Sequence, residues 1–349
     1  MVQESPEWVK VSYAAAITLG LEPGLFYRGA RLTCINLLMQ YGDGCKANCL
    51  YCGQAREIPG GSQCKNLIRV EWPSYRLNEV IERTKQIQDC VERVCISMIT
   101  HPRASEDLIK IVGNIYSEID LPISTLITPT LVTRECMRRI KEAGAEMVGV
   151  AIDAATPNLF HMLRGWSAKS PHRWDRYVNG LKEAVEVFGE GRVGCHLIVG
   201  LGESEKEMVS TIQMVHDLGA ETHLFSFFPE RGSALENKPQ PPIGQYRRVQ
   251  LARYLIDKEI SKFCLMKFDN MGRLTEFGVE DANLMEIVET GRPFETSGCP
   301  GCNRPFANER PSQLIRNFPF PLTEEDVAIV KKQIWTYEPP LSQALPNDS

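Results

Sequence analysis

Short apolar runs alternate with amphipathic stretches along most of the 349 residues. Runs at 32–39, 91–98, 123–127, 147–152, 193–199 and 223–228 have the length and β-branched content of buried strands. Weaker runs at 263–268 and 273–277 extend the series, and the stretch from Pro157 to Pro171 reads as a long loop. Between them Leu77, Val80, Ile81, Ile87 and Val91 recur at helical spacing. Thr133 is placed to cap a helix carrying Met137 and Ile140, with Gly144 as its stop. Ser204-Glu205-Lys206-Glu207 has the form of a capping box, for a helix ending near Gly219. The front of the chain is helix-compatible, and Thr323 opens a last amphipathic helix through Trp335. Repeated strand–helix–strand units predict parallel strands and right-handed crossovers. Six to eight of them make an α/β fold, a partial to complete TIM-type (β/α) barrel, with an open doubly wound sheet as the alternative. From Gly291 the chain turns rich in Pro, Asn and Arg. Residues 1–290 are therefore expected to form the barrel, and 291–349 a Cys-containing extension packed on it.

Composition narrows the function. Hydrophobic residues at 43% and charged residues at 24% suit a globular core, and a net charge of −5 supplies no basic field for nucleic acid. No apolar run approaches the ~18 residues of a membrane span. The start Met1-Val2-Gln3-Glu4-Ser5 lacks the basic and apolar regions of a signal peptide. Twelve cysteines in so long a chain then predict reduced thiols in the cytoplasm, several of them metal ligands.

Cys45, Cys49 and Cys52 stand as C-x3-C-x2-C on a loop directly after the first of the six runs. Three soft thiolates on one loop suit a cubane iron–sulfur cluster and leave its fourth iron open. The alternative, a zinc-binding interaction module, needs a fourth ligand at knuckle spacing that the neighbourhood does not offer. A second pair, Cys299 and Cys302, lies in Gly298-Cys299-Pro300-Gly301-Cys302, a tight turn fit for an auxiliary cluster, a structural zinc or a redox pair. Cys34 and Cys264 are candidates to complete it. Cys64, Cys90, Cys95, Cys136 and Cys195 read as ordinary buried or partly buried thiols.

The cysteine loop resembles the signature of radical S-adenosylmethionine (SAM) enzymes. Its flanks, Tyr41-Gly42-Asp43-Gly44 and Cys52-Gly53-Gln54-Ala55-Arg56, resemble the biotin synthase and lipoyl synthase branch. Phe228-Pro229-Glu230-Arg231-Gly232-Ser233 and the segment around Cys299 add to that likeness, which is nearest to the two-component lipoyl synthases. The resemblance implies that SAM chelates the open iron of a 4Fe–4S cluster and is cleaved to a 5′-deoxyadenosyl radical. It also implies that Tyr51 borders the adenine, Ser97 and Thr100 accept from the SAM amino group, and Asp153 accepts from ribose hydroxyls. Arg164 would pair with the carboxylate, while Ile198, Gly200 and Phe228 would pack against adenine. The activity so implied is sulfur insertion from an auxiliary iron–sulfur cluster into an octanoyl chain. Its partners would be a second radical SAM subunit, an octanoylated lipoyl-carrier protein or peptide, and a ferredoxin- or flavodoxin-type electron donor. A radical rearrangement or other cofactor-biosynthesis reaction, biotin synthase-like or methylornithine synthase-like, is the second enzymatic reading.

Overall fold

The computed structural model describes residues 3–58, 66–310 and 313–337. In chain order come β1 (Trp8–Val11), α1 (Tyr13–Thr18), β2 (Cys34–Met39), β3 (Ser74–Arg76) and α2 (Leu77–Gln86). Next are β4 (Arg93–Ser97), α3 (Ala104–Tyr116), β5 (Ile123–Ile127), α4 (Arg134–Glu142), β6 (Ala145–Asp153) and α5 (Pro157–Leu163). Then follow α6 (Trp174–Phe188), β7 (Val193–Val199), α7 (Glu205–Asp217), β8 (Glu221–Ser226) and α8 (Ile243–Asp257). The chain finishes with β9 (Lys267–Phe268), β10 (Leu274–Glu276), α9 (Asp281–Glu289) and α10 (Glu324–Ile334).

One eight-stranded sheet runs in the order β3-β1-β2-β4-β5-β6-β7-β8. From β2 to β8 its six strands are parallel, each joined to the next by helices. This is the (β/α) barrel in its partial form. Burial explains the apolar runs: along β7, Val193, Cys195, Leu197 and Val199, which share one face, are all fully buried, while Ile198 on the other lines the interior. Thr133, Ser204 and Thr323 each accept a hydrogen bond from the first turn of their helices, and the last two form full capping boxes.

Three expectations are corrected. The front of the chain is not helix alone, because β1 pairs antiparallel with β2 and β3 at the sheet edge. Residues 157–163, read as loop, form α5, capped by the Thr156 hydroxyl. The two weak runs add no barrel strands. They supply β9 and β10, a separate antiparallel ribbon. Only Leu274 of that ribbon is fully buried, so it lacks the two apolar faces that an inner parallel strand needs.

The sheet does not close on itself: β3 ends one side and β8 the other. The segment after Gly291 spans this gap. Leu224 N donates to Ser297 Oγ at 2.8 Å and Ser226 N to Asn308 Oδ1 at 3.2 Å, pairing N–H groups of the β8 edge. At the other side Thr33 Oγ1 donates to Gly301 O at 2.8 Å, and Arg93 Nε to Pro300 O at 2.7 Å. The chain from Ser297 to Asn308 thus ties β8 to the amino ends of β2 and β4.

Farther on, α10 packs against α8 through two buried arginines. Arg247 donates to Gln333, Gln250 and the carbonyls of Ile315 and Arg316. Arg248 makes a bidentate pair with Glu205 at 2.6 and 2.9 Å and donates to Ile334 O and Thr336 O. Both partners of that pair are almost wholly buried. Glu205→Ala, which strands the guanidinium, is expected to cost about 3–5 kcal/mol in urea unfolding. A loss within experimental error would show that the pair does not anchor the carboxyl-terminal segment.

Candidate functional site

The inner strand faces enclose a cavity of about 660 Å³, lined mostly by apolar atoms. The loop that follows β2 folds over it. Lys46 N donates to Thr100 O, Leu50 N to Leu163 O, and Asn48 Nδ2 to Ala168 O, so the connection after β4 and the end of α5 with the segment that follows it hold the loop from outside. Gly53 leaves this loop where a Cβ would lie 2.2 Å from Asn66 O, so only glycine lets the two backbones meet. Cys45, Cys49 and Cys52 all line the cavity. Burial pushes the Cys49 thiol up to about 12 and raises that of Cys52. Left to themselves these groups stay protonated, and a cationic iron is the kind of partner that makes thiolates of them.

A buried network holds the cysteine loop from below. Tyr51 OH donates to Asp153 Oδ2 at 2.5 Å, and Arg164 donates to the same oxygen. Arg164 also reaches Ala151 O, Ile152 O and Tyr177 OH. Its two terminal nitrogens are thus engaged by β6, Asp153 and Tyr177, while its Nε has no partner among the described residues and the side chain lines the cavity. Thr156, not Asp153, caps the helix that follows. Asp153 still borders the cavity, as do Tyr51, Ser97, Thr100, Ile198 and Phe228. Gly200 does not line it. Its N–H donates at 2.6 Å to Glu203 Oε1, whose carboxylate also accepts from Leu201 N and Gly202 N, so this stretch is a tight turn.

Cys299 and Cys302 line the same cavity. Cys34 hydrogen-bonds Cys302, and this bond, with the Arg304 charge, pulls the Cys302 thiol down to about 6 against the effect of burial. Burial raises the Cys95 thiol, and the neighbouring Cys302 and Cys299 raise it further. Arg304 Nη1 donates to Cys302 Sγ at 3.5 Å, and Asn36 Nδ2 to Cys34 Sγ at 3.5 Å. Cys34 from β2, Cys95 from β4 and the pair from the carboxyl-terminal turn therefore gather as four. Cys95 is thus not an ordinary thiol. Cys264 is exposed and joins nothing here, and Cys90 is exposed rather than buried. Cys136 and Cys195 are buried, and Cys64 lies outside the described residues. Among the described residues no three His, Cys, Asp or Glu side chains close round a single metal-ion position. A cluster whose own irons and sulfides separate the thiols makes no such demand.

Two cavity residues escaped sequence reasoning. His196 on β7 and His223 on β8 sit opposite each other in register, with ring centroids 5.6 Å apart. The signal was present in the alternation of those strands, but which parity faces inward is settled only by the fold.

Comparison with known proteins follows the same outline. The Radical SAM superfamily profile matches residues 39–215. A biotin synthase of Ruthia magnifica subsp. Calyptogena magnifica is 21% identical over 225 residues, covering 62% of this chain and 64% of that protein. The chain therefore spans just under two thirds of that relative. Among solved structures, HydG, a maturase of the [FeFe]-hydrogenase, superposes with a TM-score of 0.52 at 14% identity, over 70% of this chain and 53% of that one. Methylornithine synthase (PylB) gives 0.47 at 19% identity over 68% and 66%. The HydG likeness carries the fold. No helix among the described residues is long and apolar enough to cross a membrane.

Buried imidazoles give the site a pH signature. Burial pushes His172 down to about 2 and His223 down to about 3, in each case aided by a nearby arginine charge. Their ordinary value is 6.5, so below it the unfolded chain takes up protons that the folded chain refuses, and stability falls with pH. Each contributes a loss of about 2 kcal/mol between neutral pH and pH ~5. Buried Glu203 and Glu309, each pushed up to about 7, act in the opposite sense over this range, so the test compares two proteins: from pH ~7 to ~5 His172→Gln should lose about 2 kcal/mol less in urea unfolding than the native chain. Identical pH dependence in the two would contradict the burial argument.

Proposed function

The chain belongs to the radical SAM superfamily, and on that premise we propose that it inserts sulfur at unactivated C–H positions of a protein- or peptide-bound octanoyl chain, making a lipoyl group. Membership displaces the zinc-binding module as a reading of the Cys45 loop. The family's cofactors are a 4Fe–4S cluster and SAM, which together supply a radical able to abstract hydrogen from such a position.

One observation carries the proposal: two separate cysteine sets line a single, mostly apolar cavity. Cys45, Cys49 and Cys52 hold the SAM-binding cluster, and Cys299 and Cys302, joined by Cys34 and Cys95, hold an auxiliary one. Leu38, Leu126 and Ile198 line the space between, where an alkyl chain displaces water at no polar cost. Ser97 and Thr100 face the SAM amino group, Ile198 and Phe228 the adenine, and Asp153 the ribose. Tyr51 and Arg164 then act by fixing Asp153 and the cysteine loop rather than by gripping SAM directly. In this reading residues 1–290 are the radical-generating barrel and 291–349 the extension that brings in the auxiliary ligands. A second radical SAM subunit, an octanoylated carrier and a ferredoxin- or flavodoxin-type donor complete the system.

Anaerobic mass analysis after adding SAM, reductant and an octanoylated carrier domain tests the assignment. The native chain, assayed with its partner subunit, should give sulfur-bearing product. Cys299→Ala/Cys302→Ala should still release 5′-deoxyadenosine while product falls to background, and Cys49→Ala should lose both. Undiminished product from the double variant would overturn sulfur insertion at this site. A rearranged product from a chain binding one cluster's worth of iron would favour the rearrangement reading.

A further inference from the structure

The cavity lined by Cys95, Cys299 and Cys302 is also lined by His196, His223 and Arg304, polar groups that neither SAM binding nor thiolate ligation uses. His223 is only 2% exposed, and its Nε2 has no hydrogen-bond partner among the described residues. Its ring lies over Gly194, where a Cβ would fall 2.3–2.9 Å from the ring atoms, so the backbone of β7 is cleared for this imidazole. Such a cleared, buried and unpartnered group is costly unless something else occupies its free nitrogen. His196 stands alongside, half-buried and open to the cavity. Its ring is 4.9 Å from that of Phe225. The Arg304 guanidinium lies over the same Phe225 ring, 4.4 Å from its centroid, while donating to Cys302 Sγ and to Ser297 O. Contacts thus run from imidazole to thiol through His223, His196, Phe225, Arg304 and Cys302 in turn.

Both imidazoles are neutral, so each offers one N–H donor and one bare nitrogen. Four cysteines already make a complete ligand set for a cluster, and a fifth protein ligand is not called for. What a cluster in this position leaves unmet is the side of its sulfur that faces the lumen. We propose that His196 and His223, with Arg304, form a hydrogen-bonding wall that contacts the sulfur of the auxiliary cluster. The inference rests on the auxiliary cluster of the proposed function. The two histidines are positioning residues: hydrogen bonds to cluster sulfur stabilise the reduced, more negative state and so raise its potential. The wall also gives the apolar cavity a polar end, which orients the cluster face that an incoming chain meets.

The test uses the full chain carrying Cys45→Ala/Cys49→Ala/Cys52→Ala, labelled with 15N-histidine and reconstituted without oxygen, so that only the auxiliary cluster contributes. Pulsed EPR of the reduced cluster should show a weak histidine-nitrogen coupling. His223→Phe, of similar ring size, should abolish that coupling with iron content unchanged, and its midpoint potential should shift to more negative values. His223→Gln and His196→Phe provide independent variants should the first one fold poorly, with partial loss expected in each. Iron present with no histidine coupling, or with a coupling and potential unmoved by every variant, overturns the wall and leaves the cluster assignment standing. No iron at all in the triple-alanine chain refutes the auxiliary cluster, and the wall with it.

Discussion

A six-stranded parallel sheet that stops short of closure needs something to satisfy its last edge, and here a stretch of loop does so. Ser297 and Asn308 accept the free N–H groups of β8, while Gly301 and Pro300 offer carbonyls to Thr33 and Arg93 at the other side of the gap. Those few bonds fix the turn between them, and the turn carries Cys299 and Cys302 into the lumen. The same interaction thus seals the barrel and furnishes its interior. The buried arginines of α8 extend the anchorage: Arg247 donates to the carbonyls of Ile315 and Arg316, and Arg248 joins the carbonyls of Ile334 and Thr336 to Glu205 of α7.

The lumen itself is divided by polarity. At the carboxyl ends of the strands, Tyr51, Asp153 and Arg164 form a buried hydrogen-bonded network under the Cys45 loop, which holds the loop in place. The middle is apolar. The far part holds four thiols, two neutral imidazoles and one guanidinium, of which Cys34, Cys302 and His223 are buried. Arg304 sits at the centre of that part: its charge lowers the tendency of both imidazoles to protonate while supporting an anionic sulfur at Cys302. A site so arranged favours negative sulfur and disfavours additional cations.

Much of this was legible in the sequence where local rules suffice. The run at 193–199 is a strand whose Val193, Cys195, Leu197 and Val199 are fully buried on one face, and Ser204 caps α7 because its hydroxyl meets Glu207 N. The triad Cys45, Cys49, Cys52 was readable because its ligands are neighbours in sequence. Long-range partnership was not. Cys95 looks like any buried cysteine until the strand order sets β4 beside β2 and the carboxyl-terminal turn across both. Cys264 sat close to a weak apolar run that tertiary packing turned into a surface ribbon. Arg164 carried the right charge for a carboxylate, and a residue eleven positions earlier, Asp153, supplies one within the chain.

The most direct measurement of the central claim is iron and acid-labile sulfide per chain in Cys34→Ala/Cys95→Ala, reconstituted anaerobically beside the unaltered protein. Neither residue belongs to a recognisable motif, so only their meeting with Cys299 and Cys302 makes them matter. The account predicts that the variant loses one cluster's complement while still forming 5′-deoxyadenosine from SAM. Two full complements in the variant would contradict it.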